Sequence, residues 1–506
     1  MIAERDEARE AALTRGADVV IVGSGAGGST MFKELTAAGL DVLLLEEGEE
    51  QIPGPTGYGG PISELTAALY RGAGVTPIFG LPPIAFAEGR ALGGTTEING
   101  GLFWRTPEWI LDDWRSQGIP LQSDRYDDLF TELETGLRVG YPALVPGMDR
   151  DSELLHEGAE HLGWNVVRAP RLIPGCMSRN QCGSGCASGA KQSMSVSYIP
   201  MGKLAGGRVV TEARALRVEH DGGVARTLLV EDGATGARRS VPFRHLVVAG
   251  GAVQTPVLLR RSRMSARAGK RIGFHLNAKF LAVFPEDVNA QNGTMFNWQI
   301  QEYMKQGRII MGTNYRPEYV SLAASTWTDG AYREWVGDYS RAALYTSQVR
   351  PQTYGTVMAM GDTAVPVLQL RRPDLHLLEL GARETLQALF AAGATSVALP
   401  HAQHVVVTSP EEGREALAAM KTRDWSLSSV HAMASCSMGT GEDAVVDVRG
   451  RLSGFSNVTV ADASILPSTI GESPQGTIMA IVTDIARDLA ERLGGRVAAP
   501  VLAAAR

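Results

Sequence analysis

The sequence predicts a mixed α/β protein (α+β overall) with two domains, the first of which is interrupted by the second. A strand, a glycine-rich turn, a helix and a second strand follow one another between residues 18 and 45. Residues 280–425 carry 15 of the 32 aromatic residues among short mixed strands, a pattern that favours a separate antiparallel sheet with helices against it. A strand over 457–461 and an amphipathic helix over 476–493 then return the chain to the first domain.

Length and composition agree with this architecture. The 506 residues suffice for two domains with sizeable cores, and 44% hydrophobic with 20% charged residues is typical of globular proteins. A net charge of -7 argues against binding to nucleic acid, which needs clustered lysine and arginine. The first 15 residues have no apolar core, and no apolar run reaches the roughly 18 residues of a membrane span. We therefore expect a cytoplasmic protein without a transmembrane segment and without a nucleic-acid partner.

The first elements form a Rossmann-like unit. Strands are predicted over 18–22 and 41–45, with a helix over 27–38 between them. This order implies a right-handed βαβ crossover with parallel strands. Further along, residues 53–94 are rich in Gly and Pro and read as loop and short helix.

The remaining elements are read from apolar runs and turn residues. Strands are predicted over 208–218, 225–231 and 245–248, and helices are predicted over 384–392 and 411–420.

The glycine-rich turn has the spacing of a dinucleotide-binding loop. Gly23, Gly25 and Gly28 form Gly-x-Gly-x-x-Gly between the first strand and the first helix. The first glycine permits the tight turn, the second lets a pyrophosphate approach the backbone, and the third lets the helix pack on the strand. Glu46 follows about 20 residues later, at the end of the second strand, where an acid binds ribose hydroxyls. These residues fit NAD and FAD alike.

Several sequence blocks resemble a known family. They are GRALGGTTEINGG at 89–101, GGAVQTPVLL at 250–259, HAMASCSMG at 431–439, VADAS at 460–464 and SPQGT at 473–477. In this order they resemble the signatures of the glucose–methanol–choline (GMC) oxidoreductases. The cysteine-bearing block and the block at 431 are most similar to the long-chain alcohol oxidase and bacterial alcohol dehydrogenase branches.

The resemblance implies a discontinuous FAD-binding domain with the flavin at the seam between two domains. The FAD-binding domain is expected to comprise three segments, and the substrate or cap domain two. The FAD-binding segments are 1–105, 200–278 and 430–506, and the substrate-domain segments are 106–199 and 279–429.

Cofactor contacts follow from the same resemblance. It implies that Gly93, Gly94, Thr95 and Asn99 lie along the pyrophosphate and the isoalloxazine ring. It places Ala215 at the adenine through its backbone, and Asp462 and Thr477 near the ribityl chain and the pyrimidine edge. Some relatives attach FAD through a histidine just before the signature asparagine, where this sequence has Ile98. We therefore expect a noncovalent FAD.

The resemblance also implies the catalytic groups. His431 stands where the family has the histidine that removes the hydroxyl proton while hydride leaves for flavin N5. An imidazole with a pKa near 6.5 suits this role. Ser473 stands where the family has Asn or His, and a serine reaches less far. Either Ser473 assists His431, or a water fills the gap, or the substrate is atypical. The neighbouring Glu472 offers a negative charge for an amine-bearing substrate or caps a turn.

The function implied is FAD-dependent oxidation of a small-molecule alcohol to an aldehyde or ketone, an activity of EC class 1.1. The electron acceptor is either oxygen or a redox partner. The alternatives are a lyase or isomerase that retains the flavin and a flavoprotein without turnover.

Two other groups invite a metal-binding interpretation. Cys176, Cys182 and Cys186 have the spacing C-x5-C-x3-C, which is not a usual zinc pattern. The spacing is similar to that of the three thiolates that hold a three-iron cluster in some flavin dehydrogenase subunits. A structural loop with free thiols is the favoured interpretation, and no metal is expected. His401 and His404 lack a third ligand nearby and read as a strand end.

Overall fold

The computed structural model describes residues 2–51, 61–121, 123–145, 147–313, 315–316, 320 and 329–497. Two large β-sheets, of seven and ten strands, organise these residues, and helices pack against them. The predicted α/β architecture with a discontinuous nucleotide-binding domain is confirmed. None of the helices in the described part of the chain has the length and hydropathy needed to cross a bilayer.

The helices are α1 Ile2–Arg15, α2 Ala26–Ala37, α3 Ile62–Leu69, α4 Glu108–Ser116, α5 Ser123–Gly136, α6 Arg150–His161, α7 Tyr198–Leu204, α8 Gly251–Arg261, α9 Asp329–Gly337, α10 Arg372–Ala391, α11 Pro410–Ala419 and α12 Gln475–Arg492. Short 3-10 helices cover Arg71–Ala73, Gly94–Glu97, Met304–Gln306, Tyr339–Arg341, Thr422–Asp424 and Ala463–Ile465.

The strands are β1 Ala17–Val22, β2 Val42–Leu45, β3 Thr76–Ile78, β4 Ile84–Phe86, β5 Val166–Arg168, β6 Arg208–Val210, β7 Ala213–Asp221, β8 Val224–Asp232, β9 Arg238–Val248, β10 Gly273–Phe274, β11 Leu276–Val283, β12 Trp298–Ile300, β13 Arg308–Gly312, β14 Ala342–Val349, β15 Thr356–Met360, β16 Thr363–Val367, β17 Ser396–Ala398, β18 Val406–Val407, β19 Leu427–Ser429, β20 Ala432–Met433 and β21 Val458–Val460.

The first sheet has the strand order β6-β2-β1-β9-β8-β7, and β21 pairs with β9. Val19 of β1 pairs in parallel with Val42 of β2 on one side and with His245 of β9 on the other. The central apolar run of β1 is fully buried, as expected for a parallel strand covered on both faces. Because β1, β2, β9 and β21 are parallel, their carboxyl ends meet at one edge, where ligands of such sheets bind.

One predicted strand of this sheet is in fact two. The sequence predicts a single strand over 208–218, but the chain turns at Glu212, whose φ is 53°. The segment before the turn pairs with β2, and the segment after it pairs antiparallel with β8. Strands β7, β8 and β9 form an antiparallel meander at the edge of the sheet.

The second sheet is almost entirely antiparallel, as predicted. Its centre is the long pair β11 and β14, with Leu276 opposite Val349 and Val283 opposite Ala342. One parallel contact joins β19 to β4. Strands β3 and β4 lie inside the segment 1–105 that the sequence assigns to the first domain, although they belong to this second sheet.

Two hydrophobic cores lie on either side of the junction. The first surrounds β1 and includes Trp114 of α4 and Phe130 of α5. Both residues lie in the segment 106–199 that was expected in the substrate domain, and α5 packs on α12. The second core lies under β11 and β14 and includes Phe280, Leu155 of α6 and Leu386 of α10. The domain limits themselves stay a prediction.

Candidate active site

One large cavity, with a volume of about 1510 Å³, runs between the two sheets. At one end it is lined by the glycine loop after β1 and by the loop around Gly94. At the other end it is lined by side chains of β11, β13 and β14. His431 and Ser473 also line it. The cavity therefore brings together the two loops predicted to bind the cofactor and the two side chains predicted to act on the substrate.

The glycine loop has the geometry that a dinucleotide requires. Gly23 has a φ of 95°, and a side chain there would collide with the carbonyl of Ala249. A side chain on Gly28 would lie 1.9 Å from the carbonyl oxygen of Gly23, so this glycine lets α2 pack on the loop. Gly25 has open space where its Cβ would be, and it lines the cavity. The loop backbone is thus open to a ligand at Gly25 and closely packed at the other two positions.

Glu46 lies beside this loop, at the carboxyl end of β2, and lines the cavity. Its carboxylate accepts hydrogen bonds from the backbone N–H of Ser24 at 2.9 Å, from the Ser24 hydroxyl at 2.6 Å and from the N–H of Gly48 at 2.9 Å. Burial raises the pKa of Glu46, and these three donors oppose the increase. The predicted ribose-binding acid is therefore held rigidly next to the glycine loop.

The second glycine-rich loop meets the first. Gly94 has a φ of 57°, and a Cβ on it would lie 3.0 Å from the Cα of Gly25. The Thr95 hydroxyl accepts a hydrogen bond from the N–H of Gly89 at 3.1 Å. Gly94, Thr95 and Asn99 line the cavity, whereas Gly93, with a φ of 99°, supports the turn behind them. Only glycine permits this close approach of two backbones, and both loops line the cavity side by side.

Asn99 joins this loop to the start of the last helix. Its side-chain amide donates to Oε1 of Gln475 at 2.6 Å, and its Oδ1 accepts from the N–H of Gly101 at 3.0 Å. Gln475 also lines the cavity. The sequence did not single out Gln475, although it lies within the block at 473–477, and that block was the available signal.

The other predicted cofactor residues lie at different depths. Ala215 and Asp462 line the cavity. Asp462 accepts hydrogen bonds from the N–H of Gly251 at 2.8 Å and from the Thr255 hydroxyl at 2.5 Å, both at the start of α8. Thr477 is fully buried in the first turn of α12 and lies 2.8 Å from the hydroxyl of Thr106. Thr477 therefore lies behind the cavity wall rather than in it.

Two histidines form a pair at the cavity. Nδ1 of His431 lies 3.1 Å from Nδ1 of His275, and the rings meet edge to face. His275 is fully buried immediately before β11, and its Nε2 accepts a hydrogen bond from the N–H of Gly471 at 3.1 Å. Burial lowers the pKa of His431 to about 4, and burial with the neighbouring His431 lowers the pKa of His275 well below its ordinary value. Both rings are therefore neutral near pH 7.

The hydrogen bond from Gly471 determines where the protons of this pair lie. Because Nε2 of His275 accepts, the proton of the neutral His275 ring is on Nδ1, which donates to Nδ1 of His431. In this arrangement the proton of His431 is on Nε2, the ring nitrogen left for a substrate. His431 thus rests as a hydrogen-bond donor, and it becomes an acceptor at Nε2 when its proton moves to Nδ1.

Ser473 and Glu472 stand on the loop before α12. Ser473 is 8% exposed and lines the cavity. Its hydroxyl forms no side-chain hydrogen bond within the described ranges. The carboxyl group of Glu472 accepts from the side-chain amides of Gln299 at 3.1 Å and Gln301 at 2.8 Å. Burial raises the pKa of Glu472 to about 8, so this group is mainly uncharged near pH 7. The Ser473 hydroxyl is available to a substrate in the cavity, and the raised pKa of Glu472 reduces the negative charge that this residue offers to an amine-bearing substrate.

The cysteine loop is fastened to the cofactor loop by a buried lysine. Nζ of Lys191 donates to the carbonyl oxygens of Glu97 at 2.7 Å, Asn99 at 3.0 Å and Cys182 at 2.8 Å. Cys176, Cys182 and Cys186 are free thiols, and Arg171 lies 3.7 Å from the sulfur of Cys182. Within the described ranges no group of three His, Cys, Asp or Glu side chains is arranged to hold a metal ion. Lys191 thus packs the cysteine loop against the loop of Glu97 and Asn99, and its role as a structural loop stays a prediction.

Known proteins match the chain along most of its length. The model of the GMC oxidoreductase family matches residues 66–278 with its N-terminal part and residues 362–481 with its C-terminal part. A GMC-type oxidoreductase of Sinorhizobium fredii is 34% identical over 486 residues, which cover 93% of this chain and 94% of the relative. A long-chain-alcohol oxidase of Arabidopsis thaliana is 27% identical over 524 residues, which cover 94% of this chain and 68% of the oxidase. A variant of formate oxidase from Aspergillus oryzae, described for modification of its FAD, superposes with a TM-score of 0.70 at 14% identity, covering 95% of this chain and 99% of its own.

Proposed function

This chain belongs to the GMC oxidoreductase family and binds FAD, and from that premise we propose that it oxidises an alcohol to an aldehyde or a ketone. The similarity to long-chain-alcohol oxidases supports an alcohol as the electron donor. FAD, when bound, supplies the acceptor for the hydride at its N5 atom. The remaining work of positioning the alcohol and moving its proton falls to residues of the chain.

The observation that carries this proposal is a neutral histidine and a free serine hydroxyl in the cavity that also contains the dinucleotide loops. His431 has its Nδ1 turned to His275, so its Nε2 is the nitrogen that can meet a substrate hydroxyl. A pKa of about 4 keeps the ring uncharged and able to accept a proton near pH 7. Ser473 then holds the substrate oxygen with one hydrogen bond.

His275 controls when His431 can act as a base. Acceptance of a proton at Nε2 requires the tautomer of His431 that has its own proton on Nδ1 and donates it to His275. His275 then carries its proton on Nε2, where it faces the N–H of Gly471 and cannot accept from it. An unsatisfied buried donor costs about 1–3 kcal/mol, so the base form is the minor tautomer of the resting pair. His275 is thus a positioning residue for His431.

We propose that the FAD is bound without a covalent link. Ile98, at the position of the linking histidine, packs with Leu69, Tyr70 and Ala91 in a small apolar cluster and offers no nucleophile. The glycine loop, Glu46 and the loop of Gly94–Glu97 provide the noncovalent contacts instead.

Anaerobic titration tests the proposed oxidation. The purified yellow holoprotein is mixed with a panel of primary and secondary alcohols, and loss of the oxidised flavin spectrum is recorded. Bleaching by an alcohol, with one equivalent of carbonyl product per FAD, supports the proposal. A flavin that stays oxidised with every alcohol, while a substrate is rearranged or cleaved, favours a lyase or isomerase. That alternative is considered because Ser473 stands where the family has Asn or His.

The electron acceptor is proposed to be oxygen or a redox partner. Readmission of air after anaerobic bleaching distinguishes the two. Rapid recovery of the yellow colour with one equivalent of hydrogen peroxide indicates an oxidase, and slow recovery indicates a dehydrogenase with a separate acceptor.

A further inference from the structure

Lys279 lies on the cavity side of the second sheet. Along β11, Asn277, Lys279 and Leu281 line the cavity, whereas the alternate residues Ala278 and Phe280 are buried in the second core. This is the alternation expected of a strand with one face on a core. Lys279 is half-buried and forms no hydrogen bond or ion pair with any residue in the described ranges.

The neighbours of Lys279 on this face are polar but uncharged, or apolar. Thr346 of β14 is directly opposite, and Met311 of β13 is opposite Thr346. Gln348, two residues along β14, donates to the carbonyl of Gly471. The carboxyl group of Glu472, which lines the same cavity, is held by two glutamine amides and forms no ion pair with Lys279 within the described ranges. Within the described part of the sheet, the ammonium group therefore has no counter-ion.

Such a lysine is costly unless something else pairs with it. Transfer of an ammonium group out of water is unfavourable, and proteins compensate by pairing or by loss of the proton. Burial lowers the pKa of Lys279, and within the described ranges no carboxylate contacts it to oppose the decrease. An anion that enters the cavity would supply the missing partner and restore the charged form. Because Lys279 is the single unpaired cation on the described faces of β11, β13 and β14, a monoanionic group matches it best.

We propose that Lys279 binds the carboxylate of the substrate, so that the substrate class is an alcohol with a carboxylate at its far end. This inference deepens the proposed oxidation and rests on it. His275, the partner of His431, precedes β11 directly, and Lys279 follows four residues later on the same face. At about 3.3 Å per residue the two Cα atoms are roughly 13 Å apart. The hydroxyl and the carboxylate are therefore separated by a chain of several carbon atoms.

Binding is tested with compounds that cannot be oxidised. Decanoate, methyl decanoate and decyl phosphate are titrated into the holoprotein, and the change in the flavin spectrum gives each dissociation constant. A charge-assisted hydrogen bond predicts that decanoate binds about 10- to 100-fold more tightly than its methyl ester. Lys279→Met, which has similar length and no charge, should abolish this difference, whereas Lys279→Arg should retain it. Thr346→Val on the neighbouring strand is the matched control and should retain it too.

Several results would overturn the proposal. Equal binding of decanoate and its ester to the unaltered protein excludes the subsite, as does a preference that persists in Lys279→Met. If Lys279→Met does not yield holoprotein, Lys279→Gln provides the same comparison. Lysine-dependent binding of decyl phosphate without binding of decanoate excludes a carboxylate as the ligand.

A second measurement separates this proposal from the proposed function. Anaerobic flavin reduction is compared for ω-hydroxydecanoate and its methyl ester, and the acid should have about a 10-fold or greater advantage in kcat/KM that Lys279→Met removes. If decanoate binding depends on Lys279 but neither a hydroxy acid nor a neutral alcohol reduces the flavin, the proposed oxidation is wrong and the anion subsite stands. If neutral alcohols reduce the flavin and the acid has no advantage in binding, the oxidation stands and the subsite is wrong.

Discussion

The pH dependence of flavin reduction is the most quantitative consequence of the histidine pair. Removal of the His431 ring from water disfavours its charged form and lowers its pKa to about 4. Only the neutral ring accepts a proton, so activity is lost as the pH falls through this value. At pH 5.5 a histidine with a pKa near 6.5 would be about one-tenth neutral, whereas a pKa of about 4 leaves it almost entirely neutral.

The expected profile is therefore level from about pH 7 to pH 5 and falls about tenfold per pH unit below pH 4. The assay is stopped-flow anaerobic reduction of the holoprotein by a neutral alcohol. The second-order rate constant of flavin reduction, measured at low alcohol concentration, is taken at each pH. Glu472, whose pKa burial raises to about 8, also titrates at the site, and Glu472→Gln should leave the acid limb unchanged. A break near pH 6.5 in both proteins would refute the inference that burial lowers the pKa of His431.

The remaining predictions concern Ser473, Glu472 and the FAD linkage. Ser473→Ala should slow flavin reduction only about fivefold to tenfold, the cost of one neutral hydrogen bond, and Ser473→Asn should be tolerated; a hundredfold loss in either would place the serine in the chemistry. Burial raises the pKa of Glu472 to about 8 from an ordinary 4.5, so the folded protein keeps the carboxyl proton to a higher pH than the unfolded chain does. The contribution of protonated Glu472 to the free energy of unfolding is therefore fully present below about pH 4.5 and is lost as the pH rises toward 8. Glu472→Gln should therefore gain thermal stability relative to the unaltered protein between pH 5 and pH 8, and an unchanged difference in Tm across that range would contradict the burial argument. Acid precipitation should release FAD into the supernatant, because Ile98 offers no linking atom; flavin that stays with the protein pellet would show a covalent bond.

The parts of the site that were predicted from the sequence lie in contiguous motifs. The turn at Gly23, the packing at Gly28 and the acid at Glu46 all depend on residues close in sequence, and the structure places them at one end of β1 and β2. Their backbone requirements leave a direct trace in the residue types. Strand β21 and helix α12 return to the first sheet as predicted, because apolar periodicity is also a local property.

The parts that were missed depend on contacts distant in sequence. His275 and Lys279 belong to no motif, and their importance follows only from the position of β11 between the histidine loop and the cavity. The charge of Glu472 could not be read from the sequence either, since Gln299 and Gln301 reach it from more than 170 positions away.

Short strands were missed for a similar reason. Strands β3 and β4 have three residues each and lie in a segment rich in Gly and Pro, so they appear as loop. They become strands because β4 pairs with β19, whose residues come more than 300 positions later in the chain. Helix α10 begins at Arg372 and not near Glu384, where its start is predicted from the sequence. The part that was missed contains Gly381, which lets the helix approach the Ser347 hydroxyl. A glycine within a helix weakens the local signal.

The most direct test of the central claim is the rate of anaerobic flavin reduction by an alcohol in the unaltered protein and in His431→Ala. Both proteins are compared at equal FAD content, which the flavin spectrum establishes before mixing. Loss of a positioned general base should slow reduction by about 10²–10⁴-fold while FAD stays bound. Reduction at an unchanged rate in His431→Ala would contradict the assignment of His431 as the group that takes the hydroxyl proton.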